Sequence, residues 1–281
     1  MRRYFVLAVA AIVMAVVTGC GGNKDASVIP SSGDVTAGQI IGALRSGKRV
    51  YLKDRTITGM LDFTTTTQYC GLVGIVPVYV EPEIVFLNCV FEDSVTTFSE
   101  HENAQKVYTV FDKNVVFHDC EFKRGVNFTQ ADFRGRFDFD ISKVHGVAAF
   151  DGCNFRNGTS FAMANFNEAV TFVSTVFAAR SNFLKSFFRK SAIFQRCRME
   201  DMVMFADSHF YGYTEFIKIV ALGDIDFTNT QFAGRTFFKR SVLLGNIKLS
   251  NCVFKDSTDF SENTQLQKSN TNLIETIKAK L

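Results

Sequence analysis

No tryptophan, only three prolines and only four histidines occur in the 281 residues of this chain. With tryptophan absent, the aromatic content rests on 31 phenylalanines against seven tyrosines, one ring shape used many times over. No long low-complexity tract appears, and 47% of the residues are hydrophobic, so the chain can bury a sizeable core. Neither charge sign dominates. Net charge is +3 with the two signs interspersed, which selects neither nucleic acid nor an acidic partner. A bilayer span takes about 20 apolar residues, and the run from Tyr4 to Val17 stops short of that. His101, His118, His145 and His209 have no metal-ligand spacing. No G-x-S-x-G elbow, phosphate-binding glycine loop or H-E-x-x-H is present, so neither a cofactor nor a metal is expected.

The phenylalanines are ordered. Steps of alternately five and six residues from Phe117 visit 27 positions ending at Phe260, and 22 of them are Phe. The other five are Val144, Met199, Ala221, Leu243 and Leu249. Two residues before the lattice positions sits a small or β-branched residue, as in Cys120, Val126, Ala131, Ala148 and Cys153, in all but one case, where Phe137 stands there. Between the two comes a polar one, often Asn or Asp: Asn127, Asp132, Asp138, Asn154. In–out–in alternation is that of a strand, yet it lasts three residues before an odd step resets it. A 5/6 lattice makes no stripe on a helix, and no regular turn cadence marks hairpins. The remaining solution is a solenoid of short strands and corners, closing after four sides of five, six, five and six residues, or 22 per coil.

Small–Asn/Asp–Phe–x–x units resemble the pentapeptide-repeat family in a Phe-rich form. The likeness spans Phe111 to Phe260 and, with breaks, Val50 to Phe91. It implies an all-β fold, a right-handed four-sided parallel β-helix, and parallel crossovers favour that hand in general.

The N-terminus has two arginines, the short apolar run and then Val17-Thr18-Gly19-Cys20, which is similar to the bacterial lipobox. That resemblance implies a signal peptide over 1–19, cleavage before Cys20, and acylation of Cys20 by palmitate-like chains that insert in a lipid bilayer. Gly21 rather than Asp follows the cysteine, which by analogy with known lipoproteins implies the outer membrane. Residues 20–35 are then expected to be a flexible tether.

Thr36 to Lys48 reads as an amphipathic helix with Ile40, Ile41 and Leu44 on one face, a cap over 36–49. The β-helix is expected over 50–262, starting at Leu52, Ile57 and Phe63. Insertions interrupt it near 64–83, with a strand of its own, and near 99–107. A second capping helix is expected over 263–281, carrying Leu273, Ile274 and Ile277.

Three sets of residues are candidates for chemistry. Lipid attachment falls to Cys20. Arg196, Lys218 and Arg240 lie 22 residues apart and are expected to form a basic ladder suited to an anionic glycan or a lipid headgroup. Asp138 and Asp140 flank Phe139, with His118 one coil away, a set able to do acid–base work. Phe187, Tyr211, Tyr213 and Phe237 share no column, which argues against a sugar-stacking platform. Cys89, Cys120, Cys153, Cys197 and Cys252 fill the small inward slot. By coil counting none of the last four is one coil from another, leaving Cys70–Cys89 as the conceivable bridge. The readings that follow are a non-catalytic lipid-anchored envelope scaffold or binding module, with a protein or anionic glycan as partner, and, as the alternative, a polysaccharide lyase or hydrolase. A DNA-mimicking topoisomerase inhibitor ranks last, because such mimicry needs an acidic surface.

Overall fold

The computed structural model describes residues 29–67, 74–100 and 105–265. They form an all-β parallel solenoid of about ten coils with about 22 residues per coil and one α-helix. Two-residue strands dominate, and they assemble into four parallel sheets of nine or ten strands. Sheet I contains Val115–His118, Phe137–Asp138 and Thr159–Ser160; sheet II contains Glu121–Phe122 and Lys143–Val144. Sheet III contains Val126–Asn127 and Ala148–Ala149; sheet IV contains Asp132–Phe133 and Asn154–Phe155. The chain visits I, II, III and IV in turn, then returns to I one coil further on. Pairing is in register at 22 residues, as in Val126↔Ala148, Val170↔Ala192 and Phe111↔Phe133.

Phenylalanine suits this winding because a flat ring can stack on its equivalent one coil away. Phe172, Phe194, Phe216 and Phe238 lie face to face with successive centroids 4.8 Å apart and planes within 7°. Offset or edge contacts with the neighbouring columns add to area burial, as between Phe161 and Phe172 at 87°. Lattice positions Phe117 through Leu249 are buried, while Phe254 and Phe260 near the end are partly buried. The column Met199, Ala221, Leu243 thins as expected, and bulky Ile219 beside Ala221 is itself buried.

Two turns in each coil take a left-handed residue. From Asp119 these fall every eleven positions through Gln130, Ile141, Gly152, Met163 and onward to Glu262; the non-glycine ones, with Asp54 and Asn88 in the earlier coils, have φ of 50° to 63°. Such a conformation costs about 1–2 kcal/mol for an ordinary residue. It is offset by an inter-coil hydrogen bond: the N–H of Asp119 donates to Asp140 O at 2.9 Å, that of Arg196 to Ile217 O at 2.8 Å. The slot after most of these corners holds Ser, Thr or Cys, and in the uninterrupted coils its side chain donates back to a phenylalanine carbonyl 25 residues earlier. Ser208 to Phe183, Thr230 to Phe205 and Cys153 to Phe128 are examples. That is why the slot tolerates polar residues inside an aromatic core. The remaining corners are crowded backbone on backbone. A Cβ on Gly245 would sit 2.1 Å from Gly223 O.

At the N-terminal end, helix α1 (Ala37–Arg45) is closed by a Thr36–Gln39 capping box and buries Ile40, Ile41 and Leu44. Upstream, the flexible-tether reading is corrected for its last residues. Val35–Thr36 is a strand paired with Thr56–Thr58, and the Arg55 guanidinium donates to Pro30 O at 3.1 Å and to Gly33 O. Buried ladder bonds and a guanidinium clamp hold residues 30–36 on the solenoid. The 64–83 insertion carries Ile75–Val80, which does not leave the lattice: Val80 pairs with Phe111 in sheet IV. In the second insertion Phe98–Glu100 folds antiparallel against Lys106–Phe111. At the other end Thr264–Gln265 still pair with Val242–Leu243, so the ladder passes the expected 262 boundary and the segment after it does not begin as a helix. The expected signal peptide over 1–19, Cys20, Cys70, His101 and residues 266–281 lie outside the described residues.

Candidate functional site

The basic ladder and the corner geometry are one feature. Arg196, Lys218 and Arg240 are three of the left-handed corner residues, φ 57° to 58°, between sheets III and IV. Left-handed backbone swings a side chain clear of the wall, and all three are exposed. Their column continues to Glu262, whose carboxylate takes the Arg240 guanidinium at 2.9 Å. Arg240 is thereby raised and Glu262 lowered from their ordinary ranges, each mainly by that hydrogen bond. Arg196 and Lys218 form no ion pair among the described residues. The ladder is thus two free cations and one that faces its own carboxylate.

Sheet III beside this corner carries rings and cations in contact. Tyr213 packs on Phe237 with centroids 5.4 Å apart, and Arg235 and Lys239 lie over the Phe237 ring at 5.8 and 5.2 Å. Across the corner at Gly212, sheet II carries a second group. Phe187 stacks on His209 at 5.3 Å, and Arg189 covers both Phe187 and Tyr211 at 5.2 and 4.8 Å. Phe187, Tyr211, Tyr213 and Phe237 are the four aromatics that the sequence sets on separate columns. They do not share a column, but neighbouring columns bring them together in two cation–aromatic groups, and column counting cannot register contacts between columns. Tyr211 and Tyr213 are 43% and 39% exposed, leaving ring surface for a ligand.

On sheet I the structure brings together the three residues expected to meet. Val116 pairs with Asp138, which sets His118 opposite Asp140. His118 Nδ1 is 3.9 Å from Asp138 Oδ1. Asp138 Oδ1 accepts the Asp140 N–H at 3.0 Å, Asp140 Oδ1 accepts the Ala162 N–H at 2.7 Å, and the Arg136 guanidinium approaches Asp138 Oδ2 at 3.6 Å. Burial, and then the Asp138 charge, push the Asp140 carboxyl above its ordinary value, while Ser160, Ala162 and His118 oppose the shift. One ligating atom from each of His118, Asp138 and Asp140 lies within 4.8 Å of the others, a donor set that a first-row divalent cation accepts. The set stands on an open wall. The cavities lie elsewhere: one of about 490 Å³ between α1 and the first insertion, lined by Leu44, Arg45, Tyr79 and Lys113, and another of about 550 Å³ bordered by Glu81, Asp112 and Arg134. Neither includes a candidate site residue named from the sequence.

Cys120, Cys153, Cys197 and Cys252 keep the separations that coil counting gives them, but Cys70 is not the one conceivable partner of Cys89. The second insertion makes the offset between successive coils 31 residues instead of 22. Leu87 pairs with His118 and Val90 with Glu121, so Cys89 and Cys120 occupy the same slot on adjacent coils.

No helix among the described residues is long and apolar enough to cross a membrane. No family model, curated protein or solved structure matches the chain.

Proposed function

We propose that the chain is a non-catalytic, lipid-anchored binding scaffold of the bacterial envelope, a right-handed four-sided β-helix of the pentapeptide-repeat type whose Lys218 corner takes anionic glycans. The 5/6 lattice and the four sheets visited in turn support four-sided winding, and the general preference of parallel crossovers supports the hand. The lipobox-like Val17 to Cys20 supports acylation of Cys20 and residence at the outer membrane. One observation carries the ligand class: free cations at Arg196 and Lys218 stand on rigid corners beside the Tyr213, Phe237 and Lys239 group. Cations attract carboxylate or phosphate groups and ring faces take the apolar faces of sugars, so the pair of features suits an acidic polysaccharide. Nucleic acid has no place in this reading, and neither does a cofactor.

The test replaces all three ladder residues by asparagine, which the fold itself places at left-handed corners on the other side of the coil, at Asn88, Asn229 and Asn251. Retention on an immobilised polyuronate and on a neutral glucan is compared at rising salt. Wild type is expected to hold the polyuronate and release it with salt, and the triple variant to lose about tenfold or more in affinity. Equal retention of both proteins, or none of either, overturns the ligand class.

The sheet I wall favours a second reading, a lyase or hydrolase, through one observation: an Asp140 carboxyl held high beside Asp138 and His118, the pairing that divides acid from base. Chain cleavage of acidic glycans that disappears in Asp138→Asn and Asp140→Asn would favour it over the scaffold. Its weaker rank follows from the open wall, because catalytic sites sit in clefts that exclude water.

A further inference from the structure

We infer that Cys89 and Cys120 are an inter-coil disulfide site, a staple joining the coil before the second insertion to the coil after it. Glu121 N donates to Cys89 O at 2.9 Å and Asn88 N to His118 O at 2.9 Å, so the ladder is closed on both sides of the pair. Coil spacing there is set by the flanking ring stacks, Phe86 on Phe117 at 5.2 Å and Phe91 on Phe122 at 4.7 Å. Bridged cysteines have Cα atoms about 4.4 to 6.8 Å apart, and equivalent positions on adjacent coils fall in that window. The Cys120 thiol already leans across the gap, donating to Phe86 O at 3.5 Å on the coil that carries Cys89. Cys153 and Cys197 lean the same way, to Phe128 and Phe172, but the residues one coil below them are Ala131 and Thr175. The Cys89 thiol is held down to about 7, mainly by its contact with Cys120, while burial and that same contact push Cys120 up. Cys89 is therefore the thiol that ionises first and attacks.

The oxidant is a disulfide-bearing exchange partner. The Cys89 thiolate attacks one sulfur of that disulfide, forming a mixed disulfide and releasing one thiolate. Cys120, giving up its proton, attacks Cys89 Sγ, forms the Cys89–Cys120 bond and releases the second. Two electrons pass to the oxidant, and the two thiol protons end on its two released sulfurs. Both cysteines are 1–2% exposed, so exchange takes place while the coils assemble. The position suits a staple. The offset of 31 residues is longer than the 22 of the uninterrupted coils, so the crosslink removes more freedom from the unfolded chain than one between two such coils would.

The inference does not depend on the anchoring reading, since the test supplies its own oxidant. The full chain is denatured, reduced, and refolded with oxidised glutathione or with dithiothreitol; free thiols are then alkylated and the digest is read by mass spectrometry. Oxidative refolding is expected to give one peptide pair joining Cys89 to Cys120, two fewer alkylated thiols, and a higher melting temperature than the reduced form. Cys89→Ser and Cys120→Ser put serine in a slot that already holds Ser142, Ser186 and Ser208. Each is expected to fold and to lose both the crosslink and the oxidised-minus-reduced difference in melting. Full alkylation of both cysteines after oxidative refolding, or a Cys70–Cys89 pair in place of Cys89–Cys120, overturns the inference.

Discussion

At the scale of the residue, the sequence is legible where one chemistry serves one position and silent where many do. Phenylalanine marks the inward lattice because no other side chain stacks its own flat face so well at coil spacing. The left-handed corners carry no such mark. One column reads Gln130, Gly152, Ser174, Arg196, Lys218, Arg240 and Glu262, with the conformation enforced by inter-coil hydrogen bonds rather than by residue type. The ladder was therefore visible as a charge period while its backbone setting was not. Asp140 gives a test at this scale. Its carboxyl is raised by burial and by Asp138, so the folded state holds that proton more tightly than the unfolded chain does. Its contribution favours folding at acid pH and is lost as pH rises through the folded-state value. Asp140→Asn keeps an acceptor for the Ala162 N–H and removes the charge. The variant is expected to melt higher than wild type at about pH 7 and level with it at about pH 3, with a gap below about 1 kcal/mol because the site is half exposed. Scanning calorimetry at the two pH values reads the difference, and a larger gap at acid pH would reverse the assigned direction.

At the scale of the element, a coil has no stability of its own. Its strands are two residues long, and each depends on neighbours on both sides. Interior coils have two and the last has one, which is why Phe172 is fully buried and Phe260 is not. Phe172→Ala is expected to cost about 3–5 kcal/mol, as for a large cavity that cannot collapse, and Phe260→Ala about 1 kcal/mol. Urea titrations of both variants measure this, and equal losses would mean that residues beyond 265 close the end as firmly as another coil. The lattice told coils from insertions, but it could not say how the chain rejoins after one. Val80 under Phe111 and Cys89 under Cys120 both follow from strand pairing across an insertion, where counting residues loses the register.

At the scale of the molecule, one continuous aromatic core runs from α1 to the last coil, so the solenoid presents a rigid wall of fixed pitch rather than a hinged cleft. A rigid wall suits presentation of repeating charges to a repeating polymer, and anchoring one end near a membrane would hold that wall in the envelope. The proposed anchor would be separable from the wall, because Cys20 lies upstream of the first residues clamped by Arg55, at Pro30 and Gly33. In a bacterial host with lipoprotein processing, wild type is therefore expected in the membrane fraction, extractable by detergent and labelled by a clickable palmitate analogue. Cys20→Ala is expected to lose the label and the detergent partitioning while melting at the temperature of the processed wild-type domain. An unlabelled wild type, or a Cys20→Ala protein that partitions into detergent as wild type does, removes lipidation from the account. The polyuronate test still stands in either case, because the Lys218 corner belongs to the folded wall and not to its attachment.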